Sequence, residues 1–518
     1  MLPFLKSYSS RHDARNLEDG FTFGFRLGYS GLRTSSTARN FKSVRELQSV
    51  LQQKINREIT MGRVAGPYTE PPFPNLRCSP IGLVPKQTPG EFRLIHNLSS
   101  PLGNSVNEHI DPSLTVVNYT TFDDAVELVL SLGSGALMAK ADIKSAFRLL
   151  PVHPDDFNLL GFFFNGSYYY DKCMPMGCSI SCVTFERFST FLEYCVRKVA
   201  ATDNIIHYLD DFLFTGSADS LDCARALSSF TVVCKDFGVP LASDKTVGPT
   251  TQITFLGLTI DTVAQTIQVP PTKIVAIVEK LDAALHKPKL TLRELQSLLG
   301  SLNFLCKAVR PGRAFLRRLC DLTSGVQKPH HRIRISSGAR DDMLAWRQFL
   351  LHFNGSVVIP SRIWHSSQTL QLFTDASAEI GFGAFFNGRW THGKWPLSVR
   401  LMQFSIAFLE LFPIVLALRL WGPVLSNKCV IFWSDNEAVV TIINRQTSRC
   451  CHIMQLVRTL VIRCLELNIH FKARHIPGID NGIADALSRF QMARFRHLAP
   501  GADPNITPLP ADLWNIFS

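Results

Sequence analysis

The chain lacks most of the features that would place it in a membrane or outside the cell. Its 13 cysteines include no CxxC pair. Cys173, Cys178 and Cys182 lack zinc-site spacing, and Cys450-Cys451-His452 has no second half. Reduced, mostly buried thiols are the reading this leaves. The N-terminal MLPFLKSYSSRHDAR has no apolar core of signal-peptide length. The most apolar run, AFLELFPIVLALRLWGPVL (407–425), is broken by Glu410, Pro413, Arg419 and Pro423, which makes it a poor membrane span. Low-complexity tracts and internal repeats are missing. Acids are scarce: 42 Asp and Glu stand against 54 Lys and Arg, a net charge of +12. With 46% hydrophobic and only 19% charged residues, disorder is excluded as well. These absences leave an intracellular globular chain with no membrane partner, with cytoplasm and nucleus both open.

At 518 residues the chain exceeds one compact core, so two to four domains are expected. The positive charge is concentrated. Between Pro270 and Arg340 there are 14 Lys and Arg against 4 Asp and Glu, as a phosphate-facing surface requires. Residues 1–75 read as an N-terminal extension. Its helix over 43–59 is opened by the capping box SVRE (43–46), with Val44, Leu47, Val50, Leu51 and Ile55 on one face. GPYTEPPFPN (66–75) reads as a connector. Short apolar strands, turns and a few helices fill 76–268. Two capped helices, at about 272–286 and 291–307, open a basic segment spanning 269–367. The second starts at the box TLRE, and Leu292, Leu295, Leu298, Leu299 and Leu302 form its core stripe. Residues 368–490 read strand–strand–helix–strand–helix–strand–helix, and 491–518 form a tail.

HYLDDFLFTG (207–216) sets Asp210 beside Asp211 in an apolar hairpin, a costly place for two carboxylates without compensation. Joining nucleotides needs two divalent cations held by carboxylates about 3.5–4 Å apart. Adjacent Asp residues on one strand point to opposite faces, so a third acid is wanted. ALMAKADIKSAFRLLPV (136–152) offers Asp142 at the end of a short strand, before a helical turn. Each Asp alone reads as a cap or turn residue. Together they suit a two-metal site.

Over residues 78–260 these stretches resemble the reverse transcriptase family, with six motifs in family order. SPIGLVPKQTPGEFRLI (79–95) resembles the fingers hairpin, which implies that Lys86 and Arg93 hold the incoming triphosphate. Asp142 is similar to the first catalytic aspartate. Phe147 takes the aromatic position that excludes a ribose 2′-hydroxyl. CMPMGCSISCVTF (173–185) resembles the motif supporting template and nucleotide, with Met176 and Gly177 at its nucleotide contact. YLDD (208–211) resembles the catalytic hairpin, with Asp210 as metal ligand and Asp211 as ligand or field-shaping acid. SDKT (243–246) places Lys245 as an acid for pyrophosphate, and FLGLTID (255–261) resembles the primer grip. The basic helices correspond to thumb and connection. Met176 stands where the family has glutamine, and Cys182 where it has proline. A Met cannot donate a hydrogen bond to the ribose, which bears on nucleotide affinity and fidelity. Asn97 and Ser99 replace an acidic-basic pair, and neither is carried over as catalytic.

A second set of acids follows. QLFTDASAEIGFGAFFNGRW (371–390) places Asp375 on a strand, and FLELFPIVLAL (408–418) sets Glu410 at a helix start. CVIFWSDNEAVVTII (429–443) ends a strand at Asp435, and HIPGIDNGIADALSR (475–489) carries Asp485 on a helix. Any one reads as a cap or a solvated acid; four in this order suit a two-metal nuclease. The segment resembles the ribonuclease H family, which implies Asp375, Glu410, Asp435 and Asp485 as metal ligands and His475 as an aid to product release. GRWTHGKW (388–395) is a near match to a phosphate-binding loop, but Trp395 stands where a magnesium-binding Ser or Thr is needed.

The resemblance therefore implies an α+β right-hand polymerase of fingers, palm and thumb, followed by an α/β ribonuclease H-like domain with a mixed sheet. Mg²⁺ or Mn²⁺, two ions per site, are the implied cofactors. RNA template, DNA primer, RNA–DNA hybrid and dNTPs are the implied partners. GFRLGYSG and FRLIHNLSSPLGNSVNEHI look most like DIRS-type retrotransposons, which mobilise with a tyrosine recombinase. That recombinase is an implied partner encoded elsewhere, since no tyrosine follows HHRIR (330–334) in this chain. No DTG or DSG of an aspartic protease occurs, and the 33 residues after Asp485 are too few for an integrase. The alternative is a decayed or domesticated copy that binds nucleic acid without catalysis; loss of any of the seven acids would favour it, and none is lost.

Overall fold

The computed structural model describes residues 1–86, 90–359, 365 and 367–514. The chain divides into two compact units, Met1–Phe255 and Leu256–Ser518, so the segment 256–268 falls with the second.

In the first unit the N-terminal extension is woven into the core. Helix α1 (Arg11–Phe23) is capped by Ser10, whose side chain accepts from Asp13 N. Leu5, Tyr8, Leu17, Phe25 and Leu27 share one apolar cluster with Phe185, Phe188 and Phe191. Asp156, 1% exposed, pins this segment by accepting from Arg26 Nε (3.0 Å), Arg33 Nη2 (2.5 Å) and Leu27 N (2.9 Å). The single helix expected over 43–59 is two, α2 (Lys42–Glu46) and α3 (Gln48–Thr60), broken at Leu47 with φ −129°. The SVRE box does not form. Phe41 is the cap residue, and Ser43 Oγ accepts instead from Leu83 N at 3.0 Å. The expected apolar face holds: Val44, Leu51 and Ile55 are buried, with Leu47 and Val50 packed on them. The first part of the expected 66–75 connector is strand β1 (Val64–Tyr68).

Strands β2 (Ile81–Pro85) and β3 (Phe92–His96) form the expected hairpin; its residues 87–89 lie outside the described residues. Strand β4 (Leu137–Asp142) follows, then β5 (Gly161–Phe164) and β6 (Ser167–Asp171), the last paired with β1. Helix α4 (Ser181–Ala200) leads to β7 (Ile205–Tyr208) and β8 (Asp211–Gly216), then α5 (Asp222–Asp236) and β9 (Val247–Thr250). The four-stranded sheet runs β9-β4-β8-β7. Its Phe212 and Phe214 are fully buried against Phe230 of α5, at ring separations of 4.6 and 5.1 Å. That packing holds the hairpin ends rigid.

In the second unit β10 (Leu258–Asp261) pairs with β11 (Thr266–Gln268). Helix α6 (Pro271–Leu285) has no side-chain cap, whereas α7 (Leu292–Leu305) carries the expected box: Thr291 Oγ1 accepts from Glu294 N, and Glu294 Oε2 accepts from Thr291 N. Leu292, Leu295, Leu298 and Leu302 are buried, and Leu299 is half-buried. Helix α8 (Ser337–His352) precedes the last layer. There β12 (Leu372–Ala376), β13 (Gly381–Phe386) and β14 (Arg389–Lys394) form an antiparallel sheet. Two strands were expected. The third is made by GRWTHGKW, the near match to a phosphate loop, and Trp395 is buried with Nε1 donating to Ser377 O at 2.7 Å. Helix α9 (Ile406–Trp421) leads to β15 (Cys429–Ser434), α10 (Glu437–Arg445), α11 (Cys451–Glu466), β16 (His470–His475) and α12 (Gly482–Ser488). β15 and β16 pair in parallel, which adds the parallel component of a mixed α/β layer. The stretch Ile406–Leu425 is long and apolar enough to cross a membrane, yet 78% of it is buried in this unit.

Candidate active sites

The antiparallel register of β4 and β8 sets Asp142 directly opposite Asp211. Asp210 is not on a strand. It occupies, with Leu209, the two-residue turn between β7 and β8. Leu209 has φ +52°, a left-handed conformation that costs a branched side chain about 1–2 kcal/mol. Asp210 O accepts from Ile143 N at 3.0 Å, which ties the turn to the chain leaving β4. Burial, then the charge of Asp142, pushes the Asp210 carboxyl up to about 6. Asp211 is also raised by burial, partly offset by Lys140. Lys245 Nζ lies 2.9 Å from Asp142 Oδ2, and that bond holds its proton above the ordinary lysine range.

The remaining predicted residues surround this cluster in distinct ways. Phe147 packs edge-on to Phe185 at 5.7 Å. Its neighbour Arg148 is locked by Asp171 Oδ1 (2.6 Å), Glu58 Oε2 (3.0 Å) and Cys173 O (3.1 Å). Gly177 is dictated by space: a Cβ there would stand 1.8 Å from His96 O. Met176 is exposed. Cys182 neighbours Tyr119, whose ring lies 4.9 Å from that of Tyr208. Lys86 pairs with Glu91 on its own hairpin at 2.8 Å, and Arg93 is exposed. Sequence reasoning missed Asn107. It staples the loop holding Asn97 and Ser99 onto the Gly177 motif, donating to Gly177 O (2.8 Å) and Ser99 Oγ (2.8 Å) and accepting from Ser179 N (3.0 Å). Only its place in the NSVN stretch hinted at a turn role.

The second cluster is tighter. Asp375, Glu410 and Asp435 each offer a ligand oxygen within 4.8 Å of the others, and among the described residues no other group of acids, His or Cys does so. Asp142, Asp210 and Asp211 do not reach that spacing. Burial, then the charges of Asp375 and Asp435, lifts Glu410 to about 9. Asp375 rises to about 6, again by burial first, although Ser488 Oγ donates to its Oδ2 at 2.5 Å. Ser488, in ADALSR, is a second residue that sequence reasoning missed. Asp485 stands outside the trio's 4.8 Å grouping and pairs with Arg489 Nε (2.5 Å) and Arg494 Nη1 (2.6 Å). His475, at the exposed end of β16, bonds Asp435 O through Nε2 at 3.2 Å. Gly478 lies in the following loop, where a side-chain Cβ would stand 3.4 Å from Asp435 Oδ2.

Both sets of donors are carboxylate oxygens, the ligand type that suits Mg²⁺ and Mn²⁺ rather than zinc or copper. In the second cluster burial, then the charges of the neighbouring acids, disfavours the ionised form of Glu410. A divalent ion fits that deficit.

Residues 84–260 match the family model for "Reverse transcriptase (RNA-dependent DNA polymerase)". The Transposon Tf2-3 and Tf2-4 polyproteins of Schizosaccharomyces pombe are 23% identical over 455 residues, covering 84% of this chain and 30% of theirs. The chain thus spans under a third of the length of these curated relatives. A solved structure of the foamy viral protease-reverse transcriptase dRH in complex with ds DNA aligns with a TM-score of 0.51 at 16% identity, over 86% of this chain and 72% of that one. That likeness is one of fold, the right-hand polymerase architecture. Residues 84–260 therefore carry a reverse transcriptase domain, in a chain similar to retroelement polyproteins.

Proposed function

We propose that the chain is an RNA-directed DNA polymerase with ribonuclease H activity, which copies retroelement RNA into DNA and degrades the RNA strand of the hybrid. The observation that carries this reading is the coexistence of two separate acid clusters, one in the reverse transcriptase domain and one in a mixed α/β layer. Held by Asp142, Asp210 and Asp211, and by Asp375, Glu410, Asp435 and Asp485, two Mg²⁺ or Mn²⁺ ions per site would supply nucleophile activation and charge stabilisation. The chain's own residues do the rest. Lys245 keeps a proton beside Asp142, where a leaving pyrophosphate can take it. Phe147, fixed through Arg148 and Phe185, limits what fits at the sugar. Lys86 and Arg93 bind the triphosphate, with Met176 and Gly177 beneath it. Ser488 orients Asp375, and His475, anchored on Asp435 O, assists product release.

The proposed partners are RNA template, DNA primer, RNA–DNA hybrid and dNTPs inside the cell, with a recombinase supplied by the same element if its lineage is DIRS-type. The domain scheme fitting this role is extension (1–75), fingers and palm (76–268), thumb and connection (269–367), ribonuclease H-like domain (368–490) and tail (491–518). The test is primer extension on RNA and DNA templates with Mg²⁺, beside cleavage of an RNA–DNA hybrid. Both activities are expected. Folded protein that binds the hybrid yet does neither would establish the non-catalytic alternative instead.

A further inference from the structure

Beneath the polymerase hairpin runs a row of charged side chains that none of the sequence motifs uses. Glu186, Glu193 and Arg197 lie on α4 at spacings of seven and eleven residues, which the helical period places on one stripe. Arg197 Nη2 reaches Glu193 Oε1 at 2.7 Å and donates to Ile205 O, at the start of β7, at 2.8 Å. Glu193 Oε2 lies 2.5 Å from His207 Nδ1. His207 Nε2 faces Glu186 Oε1 at 3.3 Å, within ion-pair range but without hydrogen-bond alignment. Glu186 Oε2 then accepts from Leu209 N at 3.2 Å. The side chains of His207, Glu186 and Glu193 are only 6%, 12% and 15% exposed.

Signs alternate along this row, and it ends on a backbone N–H in the turn that presents Asp210. Two carboxylates this buried need a cation between them. His207, stacked on Phe212 at 5.2 Å, is in that position. The recipient of the last bond matters more. Leu209 holds a left-handed conformation that its side chain disfavours, and the next residue is Asp210. A turn in such a conformation needs a fixed partner to stay single-valued.

We propose that Glu186, braced by His207 and Glu193, is a positioning residue for the polymerase turn: by holding the Leu209 peptide it fixes where the Asp210 carboxylate stands. The inference rests on the polymerase reading of this site. Glu186 touches no reacting atom; it acts through Leu209. A misplaced ligand slows the chemical step without weakening nucleotide binding. A Gln at this position could still accept from Leu209 N through its carbonyl, while its amide donates to a neutral His207.

The experiment uses the full chain as wild type, Glu186→Ala and Glu186→Gln, with steady-state primer extension and amide hydrogen exchange across 205–214. Glu186→Ala is expected to lower kcat roughly 10- to 100-fold, with KM for dNTP within about twofold. Glu186→Gln is expected to stay within about threefold of wild type. Exchange at the Leu209 amide should be slow in wild type and Glu186→Gln and fast in Glu186→Ala. The urea midpoint of the first unit's unfolding transition, to which Glu186 belongs, serves as the measure of folding. Should Glu186→Ala not fold, Glu186→Asp, one methylene short of Leu209 N, takes its place with the same expectations. Equal loss in the Ala and Gln variants, a rise in KM alone, or an unchanged Leu209 exchange rate in the Ala variant would overturn the proposal. If wild type does not extend a primer, the polymerase reading fails, and the exchange rates alone decide whether Glu186 holds the turn.

Discussion

The two acid clusters are built by opposite strategies. In the first, Asp142 and Asp211 face each other by strand register, Asp210 sits on the turn beside them, and Lys245 lies against Asp142. In the second, Asp375 from a strand, Glu410 from a helix and Asp435 from the bend after β15 converge within 4.8 Å. The first carries a built-in counter-charge. In the second, burial weighs most heavily on the helix acid: Glu410 is lifted to about 9, while Asp375, like Asp210, reaches about 6. Burial is the first cause of the upward shift at both sites, and at Asp210 the charge of Lys245 offsets part of it.

The sharpest way to break this contrast is at Glu410. Glu410→Gln is expected to lower hybrid cleavage by at least about 10³-fold while leaving primer extension near wild type. Gel assays of both activities on one preparation check this.

A pH series sharpens it further. Glu410 has a folded-state pKa raised far above the unfolded value, so its contribution to stability is full below about pH 4.5 and is lost as pH climbs toward 9. Urea unfolding of the second unit's transition in EDTA should therefore weaken over that window, by on the order of a few kcal/mol. Mg²⁺ should restore most of the loss, and Glu410→Gln should flatten the dependence. A flat wild-type profile in EDTA would contradict the crowding argument.

Two smaller effects follow. Gly177→Ala forces a Cβ to 1.8 Å from His96 O, so the backbone must shift. The expected cost is about 1–3 kcal/mol, read from the urea midpoint of the first unit, with extension falling and hybrid cleavage kept. Thr291→Ala removes the cap of α7, a loss of about 1 kcal/mol in the second unit with neither cluster altered.

Much of this was legible in the sequence because it is local. YLDD and ALMAKAD read as short apolar segments bearing acids, and the need of a two-metal site for a third carboxylate joined them. TLRE and SVRE are both capping boxes in letters, yet only the first forms. Ser43 is drawn off by Leu83 N, forty residues away, and no window of sequence carries that competition. The same applies to the residues that were missed. Asn107 bonds Gly177 O across 70 positions, and Ser488 bonds Asp375 across 113. Asp485, aligned with the other acids by order along the chain, pairs with Arg489 and Arg494, four and nine residues on, and no window of sequence ranks those pairings against a shared ion. Order along the chain identified the candidates; which carboxylates meet was decided by packing.

The most direct measurement crosses the two sites. Asp210→Asn and Asp435→Asn are assayed side by side for extension on an RNA template and for cleavage of the hybrid. Asp210→Asn is expected to lose extension by at least about 10³-fold and to keep cleavage, and Asp435→Asn to do the reverse. Loss of both activities in either folded variant, or retention of both, would contradict two independent catalytic clusters in this chain.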